Sequence, residues 1–226
     1  MTYASDNVLI VGLGLIGGSL ARALRSSGFS QRFIGYGHRE ASLQRGVELG
    51  VIDEFTLDLD EAIDRADIIV VCTPTLTTVQ MLEKILPRLS GRSGGPVITD
   101  VASVKGNLRT AAIAVAGAMP PQLVLGHPIA GSQYSGVNAS KADLFVDHRV
   151  ILTPDAANDP AAVELVRAMW RSAGAEVVLS LILLCRCRPA HYSSLQTPSC
   201  QLQILACTHC YFDLFHHTTQ RHLYPI

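Results

Sequence analysis

The apolar run Val8-Leu9-Ile10-Val11 passes directly into Gly12-Leu13-Gly14-Leu15-Ile16-Gly17, and a helix-patterned segment follows at once. No other feature restricts the fold so tightly. Glycines at this spacing, between a strand and a helix, suit the first turn of a βαβ unit. Gly12 permits the tight turn, Gly14 lets a pyrophosphate approach the backbone, and Gly17 allows close helix-strand packing. A phosphate would sit at the helix N-terminus, where unpaired N–H groups and the helix dipole both favour an anion. Leu13, Leu15 and Ile16 are read with the glycines as one cofactor-binding loop. A lone GxGxxG carries little weight, but one heading an N-terminal βαβ unit carries much more. The competing reading is a tight turn in an α/β domain that binds nothing.

The rest of residues 8–178 keeps the same rhythm, short β-branched runs alternating with helix-patterned segments, which produces βαβ units and a mostly parallel sheet. Strands are expected at Val8–Val11, Phe33–Tyr36, Ile68–Cys72, Val97–Asp100, Leu123–Leu125, Val150–Thr153 and Glu176–Val178. Several are apolar throughout, as befits strands covered on both faces. Helices are expected at Ile16–Ser26, Ser42–Leu49, Leu59–Arg65, Thr77–Leu89, Val104–Ala118 and Pro160–Ala173, the last opened by Pro160 and capped by Gly174. The fold class is α/β, a Rossmann-type doubly wound sheet.

After Val178 the composition changes. Five of the six cysteines and five of the eight histidines lie beyond it, while Gly, Lys, Glu and Val are absent and Asp213 is the only acid. The chain therefore divides into a dinucleotide-binding domain, residues 1–178, and an atypical tail, residues 179–226, of uncertain structure. Cys185, Cys187, Cys207, His209 and Cys210 are soft metal ligands, and Cys207-x-x-Cys210 has a zinc-like spacing. Cys185-x-Cys187 suits zinc less well, and the tail is read as disordered or accidental sequence with no metal site.

A chain of 226 residues with 48% hydrophobic content buries a sizeable core, and a net charge of −1 offers no attraction to nucleic acid or an anionic membrane. No apolar run reaches the roughly 18 residues of a membrane span, and Met1–Asn7 lacks the basic flank of a signal peptide. A cytoplasmic protein acting on a small molecule is expected.

The cofactor is NAD or NADP. An NAD site usually places an acid about 20 residues past the glycines, at the end of the second strand. Here that strand ends Tyr36-Gly37-His38-Arg39-Glu40, with Gly37 in the acidic position and Arg39 free to face a 2′-phosphate or to remain a solvated loop charge. Cys72-Thr73-Pro74 ends another strand at the same edge and could line the cofactor, with Thr75 as a helix cap.

Two further strand ends carry the chemistry. Asp100-Val101-Ala102-Ser103-Val104-Lys105 brings Ser103 to the carboxyl edge, and Gly126-His127-Pro128-Ile129-Ala130-Gly131 does the same for His127 on leaving the Leu123–Leu125 strand. Ligands of open α/β sheets bind at that edge. Imidazole has the only unperturbed side-chain pKa near neutrality, so His127 suits removal of a hydroxyl proton, which Ser103 would help to orient. The plainer readings make His127 a turn residue before Pro128 and Ser103 the N-cap of the next helix. Asp100 and Lys105 are read as structural. Ser132 and Gln133, in a polar loop, could touch substrate or serve the turn.

With these motifs in order, the chain resembles the prephenate and arogenate dehydrogenases of tyrosine biosynthesis. The resemblance rests on Gly12 to Ser19, Asp100 to Lys105, Gly126 to Gly131 followed by Ser135-Gly136, and on Phe145 and Arg149-Val150-Ile151-Leu152-Thr153-Pro154. It implies an oxidoreductase that converts prephenate to 4-hydroxyphenylpyruvate, or arogenate to tyrosine, by NAD(P)-dependent oxidative decarboxylation. It also implies that His127 is the proton acceptor, that Ser103 orients the hydroxyl, and that substrate meets Ser103, His127, Ser132 and Gln133. The family continues into a helical domain that forms the dimer and supplies a carboxylate-binding arginine. Nothing after Val178 resembles that domain, which points to a shifted reading frame or an alternative end, and Arg186, Arg188 and Arg221 have no spacing that marks a substitute. The alternative expectation is therefore an NAD(P)-binding truncated protein without turnover.

Overall fold

A computed structural model describes residues 5–90 and 94–180. Strands β1 (Ser5–Val11), β2 (Ser30–Tyr36), β3 (Glu54–Thr56), β4 (Ile68–Val71), β5 (Val97–Asp100) and β6 (Leu123–Val124) form one sheet in the order β3-β2-β1-β4-β5-β6. Every pairing in it is parallel. Helices α1 (Leu15–Ser26), α2 (Glu40–Glu48), α3 (Leu59–Asp64), α4 (Thr75–Leu89), α5 (Gly106–Ala116) and α6 (Pro160–Ser172) cover it. The chain runs outward from β1 to β3, then returns to lay β4 on the other side of β1. The order thus reverses between β1 and β4, the crevice where such sheets receive ligands.

The central strands show why the apolar runs fold this way. Successive side chains of a strand point to opposite faces, and here both faces are dry. Val8, Ile10, Ile68 and Val70 join Leu20, Leu24, Val166 and Trp170 in one cluster, while Leu9, Val11, Ile69 and Val71 join Leu82, Ile85 and Leu108 in the other. Local signals set several helix ends. The Asp58 carboxylate accepts from the N–H groups of Asp60 and Glu61 to cap α3, Asp159 accepts from Ala161 N–H ahead of Pro160, and Gly174 takes φ 86° just past α6.

Besides the short β3, three elements differ from the sequence reading. A short second sheet, ordered β7-β8-β9, is made by β7 (Gly126–Pro128), β8 (Arg149–Leu152) and β9 (Glu176–Leu179), with β7 antiparallel and β9 parallel to β8. His127 therefore lies inside a strand, opposite Ile151, and not in a turn beyond one. Glycine and proline on either side hide the strand, which exists only because β8 pairs with it. Second, α5 starts at Gly106 with Lys105 in the N-cap position, so Ser103 is not its cap. Asp100 accepts the Ala102 N–H and pairs with Lys105, and these bonds hold the intervening residues in a turn. Third, α4 begins at Thr75 itself, after Pro74 at the cap position.

Among the described residues no helix is long and apolar enough to cross a membrane, and no group of three or more His, Cys, Asp or Glu could hold a metal ion. The tail cysteines, His209, Arg186, Arg188 and Arg221 lie outside the described residues.

Candidate functional site

The glycine loop is built around close approaches. Gly12 has φ 94°, a left-handed conformation that favours glycine, and its N–H donates to the Tyr36 carbonyl at 2.8 Å. A Cβ on Gly17 would stand 2.6 Å from the Gly12 carbonyl oxygen and 2.8 Å from Ile10 Cγ2, which ties the start of α1 directly to β1. At Gly14, by contrast, a Cβ would meet nothing within 4 Å. The N-terminus of α1 has no side-chain cap and no acid in its first turn, so its first N–H groups remain available to an anion. Open space over Gly14 and an uncapped helix end fit a dinucleotide pyrophosphate. Leu13, however, turns its side chain into the core beneath α2, against Gly46, so only its backbone faces the loop. Ile16 also packs partly against that core.

At the end of β2, Gly37 leaves space, with only Leu43 Cδ2 near a hypothetical Cβ, at 3.9 Å. Exposed Arg39 precedes α2, and its Nε donates to His38 Nε2 at 3.3 Å. These residues form a small cationic and imidazole pair where an acid would stand in an NAD-selective site.

Neighbouring strand ends form a continuous row. The Cys72 N–H donates to the Val11 carbonyl at 2.7 Å, and the Val101 N–H donates to the Val71 carbonyl at 3.3 Å. Thr73 meets Gly12, since its Cγ2 would be 2.8 Å from a Cβ there, and its hydroxyl is bonded to Thr78 at 2.9 Å. Burial, with a further push from the Asp100 charge, holds the Cys72 thiol far above its usual range. Cys72 offers the crevice its backbone, not a thiolate.

Next in the row is His127. Asp100 accepts the Gly126 N–H through Oδ1 at 3.1 Å and the Ala102 N–H through Oδ2 at 2.9 Å. Lys105 pairs with Asp100 and donates to the Gly126 carbonyl at 2.6 Å. The two motifs read separately in the sequence are thus one unit in space. The His127 ring is half-buried, and its Nδ1 is enclosed without a hydrogen-bond partner. Burial and then the Lys105 charge depress its pKa below the ordinary histidine value, opposed by the neighbouring Val101 backbone. A neutral imidazole can accept a proton at its unprotonated ring nitrogen.

Ser103 is exposed in the same 100–105 turn, and among the described residues no hydrogen bond engages its hydroxyl. Ser132 and Gln133 are exposed beyond β7, and the Ser132 hydroxyl accepts the Tyr134 N–H at 3.2 Å, a local turn bond. The structure brings Ser103 and His127 to one edge, but it makes no bond from either to Ser132 or Gln133. A cavity of about 540 Å³ lined by Leu86, Pro87, Met119, Pro120 and Gln122 lies at the opposite, amino-terminal edge of the sheet, and among the described residues none of its lining side chains is ionisable.

The residues missed as part of the site are Asp100 and Lys105. An acid ending an apolar strand, with a lysine five positions on, was the available signal, but the partner they share, Gly126, is distant in sequence.

Residues 20–179 match the family described as the nucleotide-binding domain of prephenate dehydrogenase. The chain is 36% identical over 180 residues to prephenate dehydrogenase of Bacillus subtilis, covering 79% of this chain and 47% of that protein. Its structure is similar to that of Aquifex aeolicus prephenate dehydrogenase in complex with hydroxyphenyl propionate and NAD+, with TM-score 0.68 and 36% identity over 77% of this chain and 59% of that one. Synechocystis arogenate dehydrogenase gives TM-score 0.68 at 33% identity, covering 77% and 59%. The chain spans about half the length of the curated relatives it matches.

Proposed function

Because the chain belongs to the prephenate dehydrogenase family through its nucleotide-binding domain, we propose that it carries the cofactor site and the proton acceptor for oxidative decarboxylation of prephenate or arogenate. The product is 4-hydroxyphenylpyruvate or tyrosine. The observation that carries this reading is the bonding of Asp100 and Lys105 to Gly126, which ties the turn that carries Ser103 to the residue preceding His127.

In this reading the free N–H groups of α1 receive the pyrophosphate above Gly14, while Gly37, His38 and Arg39 surround the adenosine ribose. The absence of an acid there, with Arg39 at hand, accommodates a 2′-phosphate and so favours use of NADP beside NAD. Bound nicotinamide supplies the acceptor for the hydride on the hydroxyl-bearing ring carbon. His127 takes the hydroxyl proton, and Ser103 holds the same oxygen by a hydrogen bond. The carboxylate then leaves as carbon dioxide, and its bonding electron pair enters the ring, which becomes an aromatic phenolate that takes the proton back from His127 to give the phenol. Ser132 and Gln133 meet the polar groups of the substrate from the loop after β7.

The test is one spectrophotometric assay of the full chain, with prephenate and arogenate each offered NAD and NADP. Substrate-dependent formation of reduced nicotinamide with one of the four combinations is expected. Cofactor binding without any such formation overturns the catalytic reading and leaves a nucleotide-binding protein.

A further inference from the structure

Asp100 and Lys105 touch neither cofactor nor substrate in the reading above, yet their placement is costly. Their side chains are 0% and 8% exposed. A buried ion pair is poor evidence of stabilisation, because well-packed apolar residues of the same volume often do as well or better. What this pair does have is a specific partner. One member accepts the Gly126 N–H at 3.1 Å, and the other donates to the Gly126 carbonyl at 2.6 Å.

We propose that Asp100 and Lys105 are positioning residues for His127, acting through both polar ends of the Gly126 residue that precedes it. Gly126 is where the chain leaves the six-stranded sheet, after Val124, and enters the three-stranded one. The Ile129 N–H donates to Arg149 on β8 at 2.8 Å, and Thr153 donates to Leu125 at 2.9 Å, so β8 holds the joint from one side. The ion pair holds it from the other. Space at the joint is tight: a Cβ on Gly126 would meet Leu152 Cδ2 at 2.9 Å and the Asp100 carbonyl at 3.4 Å.

The pair also sets the electrostatic surroundings of the ring. Burial pushes the Asp100 carboxyl up and the Lys105 ammonium down, while each charge opposes the other's shift. After burial, the Lys105 charge is the next cause that keeps the imidazole neutral. The other groups around the unit are the buried thiol of Cys72 just past β4 and, from β8, Ile151 opposite the ring, with Arg149 paired to Glu176 beyond Pro128. The catalytic meaning of this arrangement rests on His127 being the proton acceptor; the arrangement itself does not.

The experiment is an NMR titration of the His127 ring in the full chain and in Lys105→Met, Lys105→Arg and Lys105→Met/Asp100→Asn variants. In the unaltered protein His127 is expected to titrate below the ordinary value of about 6.5. Removing the charge in Lys105→Met raises that midpoint, and Lys105→Arg leaves it low. Should a lone buried carboxylate prevent Lys105→Met from folding, the double variant, with a neutral pair, carries the same expectation. A midpoint at or above the ordinary value in the unaltered protein, or an unmoved one in a folded variant lacking the lysine, overturns the proposal. Where turnover is measurable, Lys105→Met lowers kcat about 10²-fold, as for a catalytic group displaced by about 1 Å, with little change in the KM for dinucleotide. A normal titration pattern without turnover in the unaltered chain counts against the proposed reaction and not against the positioning.

Discussion

Gly17 and Gly12 approach so closely that a Cβ on the first would stand 2.6 Å from the carbonyl oxygen of the second. The obstacle is backbone, which cannot swing away as a side chain can. Gly17→Ala is therefore expected to lower stability by about 1–3 kcal/mol through overpacking. Gly14→Ala, with no neighbour within 4 Å, should leave the denaturation midpoint nearly unchanged while weakening dinucleotide binding. Urea unfolding and a dinucleotide fluorescence titration on both variants check the pair. Equal loss of stability in the two would show that the space over Gly14 is not the ligand's.

His127→Asn is expected to reduce turnover by about 10² to 10⁴ if the imidazole is the general base, with dinucleotide affinity retained. Because burial and then Lys105 depress its pKa, the acid limb of kcat should lie below the ordinary histidine value. The same shift acts on stability. In the window between the depressed value and the ordinary one, the unfolded chain binds the proton and the folded one does not, so stability falls as pH falls through it. A pH series of turnover and unfolding midpoints, compared with His127→Asn, measures both.

Arg39→Ala should raise the Kd for NADP more than that for NAD, because only the former offers a 2′-phosphate to the guanidinium. Equal losses for the two cofactors, by calorimetry, would remove Arg39 from the ribose site.

Asp53 gives a prediction of the same sign as that for His127, in a more acidic window. Burial raises its carboxyl pKa, but the Arg25 bond at 2.9 Å and the Phe33 N–H at 2.7 Å outweigh it, and the net shift is downward. Its stabilisation is present above the unfolded carboxylate value of about 3.9 and is lost as pH falls through the folded one. Asp53→Asn should lower the unfolding midpoint at neutral pH and flatten its decline in acid. An unchanged acid profile would refute the assignment.

The parts of the molecule legible in advance were those whose signal is local. The strands Val97–Asp100 and Ile68–Val71 announce themselves by apolar runs, and α6 by Asp159-Pro160 at one end and Gly174 at the other. Glu54–Thr56 passed unnoticed because three half-buried residues at a sheet edge show no periodicity, and only β2 makes them a strand. The candidate site divides the same way. The glycine loop, Ser103 and His127 could be named from their places at strand ends, whereas Asp100 and Lys105 looked like scaffold.

By itself, the sequence determined the alternation of the longer strands and helices, the βαβ turn at Gly12–Gly17 and the residue types brought to the carboxyl edge. Those properties depend on hydrophobic period and backbone sterics within a few residues. Only the tertiary structure decided that His127 sits in a strand opposite Ile151, and that Asp100 and Lys105 close on Gly126 from 26 and 21 positions away. Such contacts join segments whose separation in the chain carries no pattern. They form because a buried carboxylate and ammonium require partners, and folding leaves the polar ends of Gly126 within their reach.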